Sequence, residues 1–212
     1  MRSKSKLWIA LVPVLLFAGT AQAQSDGVKV GIGVNLIQAT ITPDLSGGGN
    51  FGTVALGDIL VPINFGQRFK LEPWLGVFRF KDKREDTDFT DDQRTTQWRI
   101  GTGLYFRFPT SGSFVPYFGP RVSLLLTSFS QEQTFPGGSN KFEFSQTDFQ
   151  VGLALGGEYF FSGHFSLGGE VQLNYTSMGE PNQKLDGVDI TTGSRSQNLF
   201  SNAASILARF YF

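Results

Sequence analysis

Counting back by twos from the final residue, Phe212, Phe210, Ala208, Ile206 and Ala204 are all apolar, and Arg209 and Ser205 fall between them. Successive side chains on a β-strand point to opposite faces, so this period calls for an extended segment with one apolar and one polar face. Seven earlier segments repeat the pattern. Val28, Val30, Ile32, Val34 and Leu36 alternate with Lys29, Gly31, Gly33 and Asn35. Ile59, Val61, Ile63 and Phe65 alternate with Asp58, Leu60, Pro62 and Asn64. Phe69, Leu71, Leu75 and Val77 oppose Lys70, Glu72, Trp74 and Gly76. Trp98, Ile100, Leu104, Phe106 and Phe108 oppose Arg99, Gly101, Gly103, Tyr105 and Arg107. Phe114, Phe118, Val122, Leu124 and Leu126 oppose Gly119, Arg121 and Ser123. Phe149, Val151, Leu153, Leu155, Tyr159 and Phe161 oppose Gln150, Gly152, Ala154, Gly156 and Glu158. Phe165, Leu167, Val171, Leu173 and Tyr175 oppose Ser166, Gly168, Glu170, Gln172 and Asn174. Eight strands are expected.

The amino-terminal end has a different character. Arg2, Lys4 and Lys6 precede an apolar run over 7–19, and Ala21-Gln22-Ala23 reads as a cleavage site. Residues 1–23 are therefore expected to be a signal peptide for Sec-type export, and residues 24–212 a single domain. That run is too short for a comfortable helical span and no stop-transfer pattern follows it. Further on, no stretch approaches the roughly 18 apolar residues that a membrane helix needs. The absence of Cys excludes lipoprotein anchoring, disulfides and thiol chemistry. Loss of the three signal cations from a chain with 18 basic and 18 acidic residues leaves a net charge of about −3. With no basic patch, nucleic acid is not expected as a partner.

The connections alternate as the strands do. Gly66-Gln67-Arg68, residues 109–113 and Ser162-Gly163-His164 are short turns, while 38–53, 81–93, 130–144 and 177–195 are long, polar and rich in Gly, Asn, Asp and Ser. Short turns on one rim and long loops on the other is the layout of a transmembrane barrel, turns periplasmic and loops outside. A soluble, lipocalin-like barrel would place the same two faces the other way round. Five or six large apolar side chains from each strand would overfill so narrow an interior. The glycines of the opposite face, such as Gly101, Gly103, Gly152 and Gly156, relieve crowding there. Aromatic pairs bracket each short turn: Phe65 and Phe69, Phe108 and Phe114, Phe161 and Phe165. With Tyr159, Phe210 and Phe212 they outline one interfacial girdle, and Trp98, Phe149, Tyr175 and Phe200 sketch the other. The expected fold is all-β, an eight-stranded antiparallel up-and-down transmembrane β-barrel. Backbone polar groups unpaired in lipid cost several kcal/mol each, so closure is required.

The runs Tyr117-Phe118-Gly119-Pro120-Arg121 and Gly156-Gly157-Glu158-Tyr159-Phe160-Phe161, leading into Phe165-Ser166-Leu167-Gly168-Gly169-Glu170, carry a resemblance. The chain resembles the small eight-stranded bacterial outer-membrane barrels, the family of the OmpA membrane domain and OmpX. Unlike full-length OmpA-type proteins, the chain is not expected to carry a peptidoglycan-binding domain after Phe212, and a cell-wall tether is accordingly not expected. The resemblance implies a bacterial outer-membrane location among lipids and lipopolysaccharide, and assembly by the barrel-assembly machinery. Phe210 and Phe212 match the terminal signal by which such barrels are recognised.

For chemistry the chain offers little. His164, the only His, falls in a three-residue turn and reads as a solvated turn residue. Ser-His and Cys-His nucleophile arrangements are absent from the long loops, and no catalytic residue, cofactor or metal is expected. The acidic and basic run 81–94 reads as a solvated loop; binding a divalent cation or lying across lipopolysaccharide phosphates are its sharper alternatives, and no calcium-loop spacing matches.

The inward charges carry more information. Lys29, Arg99, Arg107, Arg121 and Arg209 share the polar face with Asp58, Glu72, Glu158 and Glu170. Charges in a narrow lumen must pair or stay wet. They are expected to form a salt-bridge network that either plugs the lumen or gates it. The first reading makes the protein structural or a surface-interaction barrel, active in envelope stabilisation or adhesion, with its surface ligand unassigned. The second makes it a narrow channel for ions or small solutes, apolar ones included.

Overall fold

The computed structural model describes residues 27–42, 50–52, 57–87, 89–190 and 197–212. The expected signal peptide, the Gly47-Gly48-Gly49 run and parts of three long loops (38–53, 81–93 and 177–195) lie outside these. The strands are β1 (Val28–Thr42), β2 (Asn50–Gly52), β3 (Ile59–Leu60), β4 (Ile63–Phe65), β5 (Phe69–Asp86), β6 (Phe89–Arg107), β7 (Phe114–Phe135), β8 (Gly138–Phe160), β9 (Phe165–Met178), β10 (Asn182–Leu185), β11 (Val188–Ile190) and β12 (Gln197–Tyr211). All pairings are antiparallel. β3 and β4 are one barrel strand interrupted at Pro62, which has no N–H to give the ladder. Counted so, eight strands run in sequence order, and β1 pairing with β12 closes the ring.

The alternation read from the sequence is the alternation of the wall. Along β9, exposed Phe165, Leu167, Val171 and Leu173 interleave with buried Ser166, Gly168, Glu170 and Gln172. The outer face is apolar because it meets lipid, and the small interior takes the polar residues. In β1 the pairing with β12 shifts register between Asn35 and Ile37, a bulge that sends Gln38 and Thr40 to the inner face. Rings cluster on the outer surface beside the short turns: Phe108 stacks on Phe118 at 5.7 Å, and Phe210 meets Phe212 edge-on at 5.4 Å.

Two of the long connections differ from expectation. Residues 81–93 and 130–144 are not irregular loops but continuations of the barrel strands. β5 and β6 stay paired from Phe69–Phe106 out to Asp86–Phe89, and β7 and β8 from Phe114–Tyr159 to Phe135–Gly138. Strands of 18 to 23 residues far exceed the roughly 9–11 that span a bilayer, so ribbons project past the rim. Their composition is polar, but Phe142 and Phe144 alternate with Lys141, Glu143 and Ser145, and Thr90, Thr95 and Thr96 favour extension. Within 177–195, β10 and β11 form a further hairpin that pairs with β8. Its turn is Asp186-Gly187, both at positive φ (50° and 81°), the left-handed pair that a two-residue hairpin requires.

Candidate functional site

The site is the interior of the barrel, and the alternation of five strands builds its inner layer. β5 contributes Lys70 and Glu72, β6 Tyr105, β7 Tyr117, β8 Glu158, and β12 Arg209 and Tyr211; all seven are buried to 1% exposure or less. Arg209 clamps Glu72 with two hydrogen bonds, Nε donating to Oε2 at 2.6 Å and Nη2 to Oε1 at 2.9 Å. Its Nη1 lies 3.1 Å from Glu158 Oε1. Lys70 Nζ donates to the same Glu158 oxygen at 2.6 Å and stands 3.8 Å from Glu72. Tyr211 Oη donates to the second Glu158 oxygen at 3.0 Å. Two cations and two carboxylates thus cancel, and the Lys70 ammonium also sits 3.7 Å from the ring centre of Tyr117.

A second layer lies towards the projecting ribbons. Arg121 Nη1 donates to Glu170, which also accepts from Tyr117 Oη at 3.0 Å and Gln172 Nε2 at 2.7 Å. Beside it Arg99 donates to Asp58 at 2.6 Å and to Gln38 at 3.2 Å. Glycines make the room. A Cβ on Gly103 would lie 2.4 Å from the Tyr105 ring, and one on Gly156 2.6 Å from the Tyr117 ring. Above these charges the lumen widens to a cavity of about 400 Å³.

Of the residues singled out from the sequence, Asp58, Glu72, Arg99, Arg121, Glu158, Glu170 and Arg209 join ion pairs. Lys29 does not belong with them: it lies at the start of β1, exposed at the rim, where the strand has not yet entered the closed part of the wall. Arg107 is buried at the same short-turn end of the barrel, 6.0 Å from the Phe160 ring, and joins no ion pair among the described residues. Lys70, at the centre of the network, is not among the charges expected there, although the alternation places it on the inner face. Phe210 and Phe212 point outward. His164 holds the turn before β9, its Nδ1 2.9 Å from the Tyr211 carbonyl oxygen. No group of His, Cys, Asp and Glu able to hold a metal occurs among the described residues.

An apolar outer wall around a polar, ion-paired interior is the build of a membrane barrel, and comparison with known families agrees. Residues 9–194 match the outer membrane protein beta-barrel domain. The chain belongs to that family. It is an outer-membrane β-barrel protein, and the short turns of the barrel are accordingly periplasmic and the ribbons extracellular. Among solved structures, neisserial surface protein A is 17% identical, with 88% of this chain and 97% of that one covered and a TM-score of 0.48. Ail, the attachment invasion locus protein of Yersinia pestis, is 11% identical over 89% and 100% of the two chains, with a TM-score of 0.47. OprG of Pseudomonas aeruginosa is 16% identical over 87% and 94%, with a TM-score of 0.39. No curated protein matches the chain in sequence.

Proposed function

We propose that this outer-membrane barrel is closed to ions and serves a structural, surface-interaction role, in envelope stabilisation or adhesion, with the lumen plugged by its salt bridges. The supporting observation is the layer formed by Lys70, Glu72, Glu158 and Arg209, whose side chains have no exposure. An ion crossing it would have to part charges that find no other partner, at a cost of several kcal/mol each. Arrival at the membrane would follow Sec-type export and removal of residues 1–23. Insertion would use the barrel-assembly machinery, with the strand bearing Phe210 and Phe212 as its signal. Lipopolysaccharide is the partner its outer rim suits. Just past the lipid-facing pair Val77 and Trp98, the same face carries Arg79 and then the opposed pair Lys81 and Arg94, within reach of lipid phosphates.

Single-channel recording of the refolded protein in planar bilayers tests the plug. The parent is expected to be silent, and Glu72→Ala, which frees Arg209 and Lys70, to show brief openings. Steady ion-selective currents in the parent would instead make the protein a narrow channel.

A further inference from the structure

Charge is unevenly placed along the barrel. The three short turns, Gly66-Gln67-Arg68, 109–113 and Ser162-Gly163-His164, hold Arg68 and His164 and no acidic residue. Phe69 and Phe106 are the last ladder pair of β5 and β6 at that end, and one step beyond them the Arg107 N–H donates to the Arg68 carbonyl at 2.6 Å. The pair before them, Lys70 and Tyr105, is buried in the lumen, so by the same alternation Arg68 and Arg107 stand opposite each other on the lumen side. Like charges directly opposite on a sheet repel. Arg107 is only 7% exposed and joins no ion pair among the described residues. Its Nε is enclosed without an acceptor, which leaves the two Nη nitrogens as the atoms a ligand can meet. Arg68 is exposed and joins no ion pair among the described residues either. Lys29, exposed and opposite Asn64, adds a third cation at the same rim. The acids of the adjoining layer, Glu72 and Glu158, are taken up by Lys70, Arg209 and Tyr211.

We infer that the periplasmic mouth of the barrel is an anion site, at which Arg107 and Arg68 bind the phosphate group of a periplasmic solute, either free phosphate or a phosphomonoester. A buried charge without a partner is costly, and a like charge across the rung adds to the cost; an anion held between them relieves both. The guanidinium fork matches the oxygens of a phosphate or a carboxylate in pairs. Three cations with no free acid beside them favour a phosphomonoester, with roughly 1.5–2 negative charges, over a carboxylate with one. Facing decides the source. Arg107 lies inside the wall, out of reach of bilayer headgroups, so its anion enters from the periplasm. The site is below the buried charge layer and stands whether or not the lumen conducts.

The test is nuclear magnetic resonance of the full mature chain, ¹⁵N-labelled and refolded in dodecyl maltoside micelles, which carry no phosphate. Inorganic phosphate and glycerol 3-phosphate are the probes, and acetate is the comparator. The Arg107 guanidinium resonance, assigned by its loss in Arg107→Gln, is expected to shift saturably with at least one phosphate probe, and the tighter of the two names the source. Acetate should bind several-fold more weakly. Calorimetry should find the affinity lowered about 10-fold or more by Arg107→Gln, the worth of a hydrogen bond to a charged group, and several-fold by Arg68→Gln. Arg94→Gln, in the extracellular ribbon, should leave it unchanged. Arg68→Gln carries the comparison if Arg107→Gln fails the heat-shift gel for folding. No saturable shift with either phosphate probe, an unchanged affinity in the folded variants, or preference for acetate would each overturn the site. So would a shift already complete in phosphatidylglycerol nanodiscs, which would give Arg107 a lipid partner. Phosphate binding that appears only in Asp26→Asn would overturn it too, by giving Arg107 an acid of the chain itself.

Discussion

Arg209 and Glu72 are 137 residues apart in the chain, yet across the lumen the guanidinium donates two hydrogen bonds to the carboxylate at 2.6 and 2.9 Å. Both side chains are completely buried. Pairing in this setting matters less for what it adds than for what its loss would leave behind. Removing either partner alone, by Arg209→Met or Glu72→Gln, should cost about 3–5 kcal/mol, because the other charge stays stranded. The double variant should recover much of the loss. Urea titrations of the barrel in lipid vesicles, read as a double-mutant cycle, measure the coupling. Additive losses would show that the two groups are not paired.

The outward face should tolerate no charge. Leu153 and Val171 are 61% and 54% exposed on the apolar wall. Leu153→Arg and Val171→Arg are each expected to destabilise the embedded barrel by about 2–4 kcal/mol if they sit near the bilayer midplane. Thr95→Ala, on the inner face at the wide end, should change little. Vesicle urea titrations that ranked them the other way would turn the barrel inside out.

Glycines on the wall should divide sharply by position. A Cβ on Gly119 would lie 1.9 Å from the Leu104 carbonyl oxygen and 2.8 Å from the Tyr105 Cα, both backbone atoms. Gly163, in the turn before β9, has nothing within 4 Å of the same position. Gly119→Ala should therefore lose about 1–3 kcal/mol or fail to assemble, whereas Gly163→Ala should refold as the parent does. The heat-shift gel and thermal melts compare them. Gly152→Ala belongs with the first class, since its Cβ would meet the Leu173 carbonyl oxygen at 2.8 Å.

In the extracellular ribbon, the Arg94 guanidinium hydrogen-bonds Asp92 and holds its carboxyl below the usual range, with Lys81 adding to the effect. A depressed carboxylate pKa contributes stability above the unfolded-state value, near 3.9, and loses it as pH falls through the folded value. The ribbon should thus be insensitive to pH from neutrality down to about 4 and loosen only below that. Carbon-detected NMR titration of Asp92 reads this, and Arg94→Gln should move its midpoint upward. An unmoved midpoint would mean that the pair does not form in solution.

Much of the wall was legible because strand geometry is local. A period of two needs no knowledge of which strands are neighbours, so the facing of Leu153, Val171, Glu170 and Arg121 could be read residue by residue. The ribbons over 81–93 and 130–144 do not read as strands in the sequence because strand extensions in water are as polar as loops. Alternation on both sides of Pro136-Gly137, and the Asp-Gly pair at 186–187, were the signals present. Lys70 is on the inner face by the same count, and no signal beyond alternation is needed to place it among the charges.

What the sequence determined by itself is which face most wall residues take and that no helix among the described residues would carry the chain through a membrane, because alternation and hydropathy are properties of neighbours in the chain. Tertiary structure decided the partners. That Arg209 meets Glu72 and Glu158 rather than Glu170, and that Arg99 meets Asp58 and Gln38, depends on the stagger between strands and on the bulge at Asn35–Ile37. Stagger is set only when β1 closes on β12. A shift of two residues there would keep every side chain on its face and change every partner.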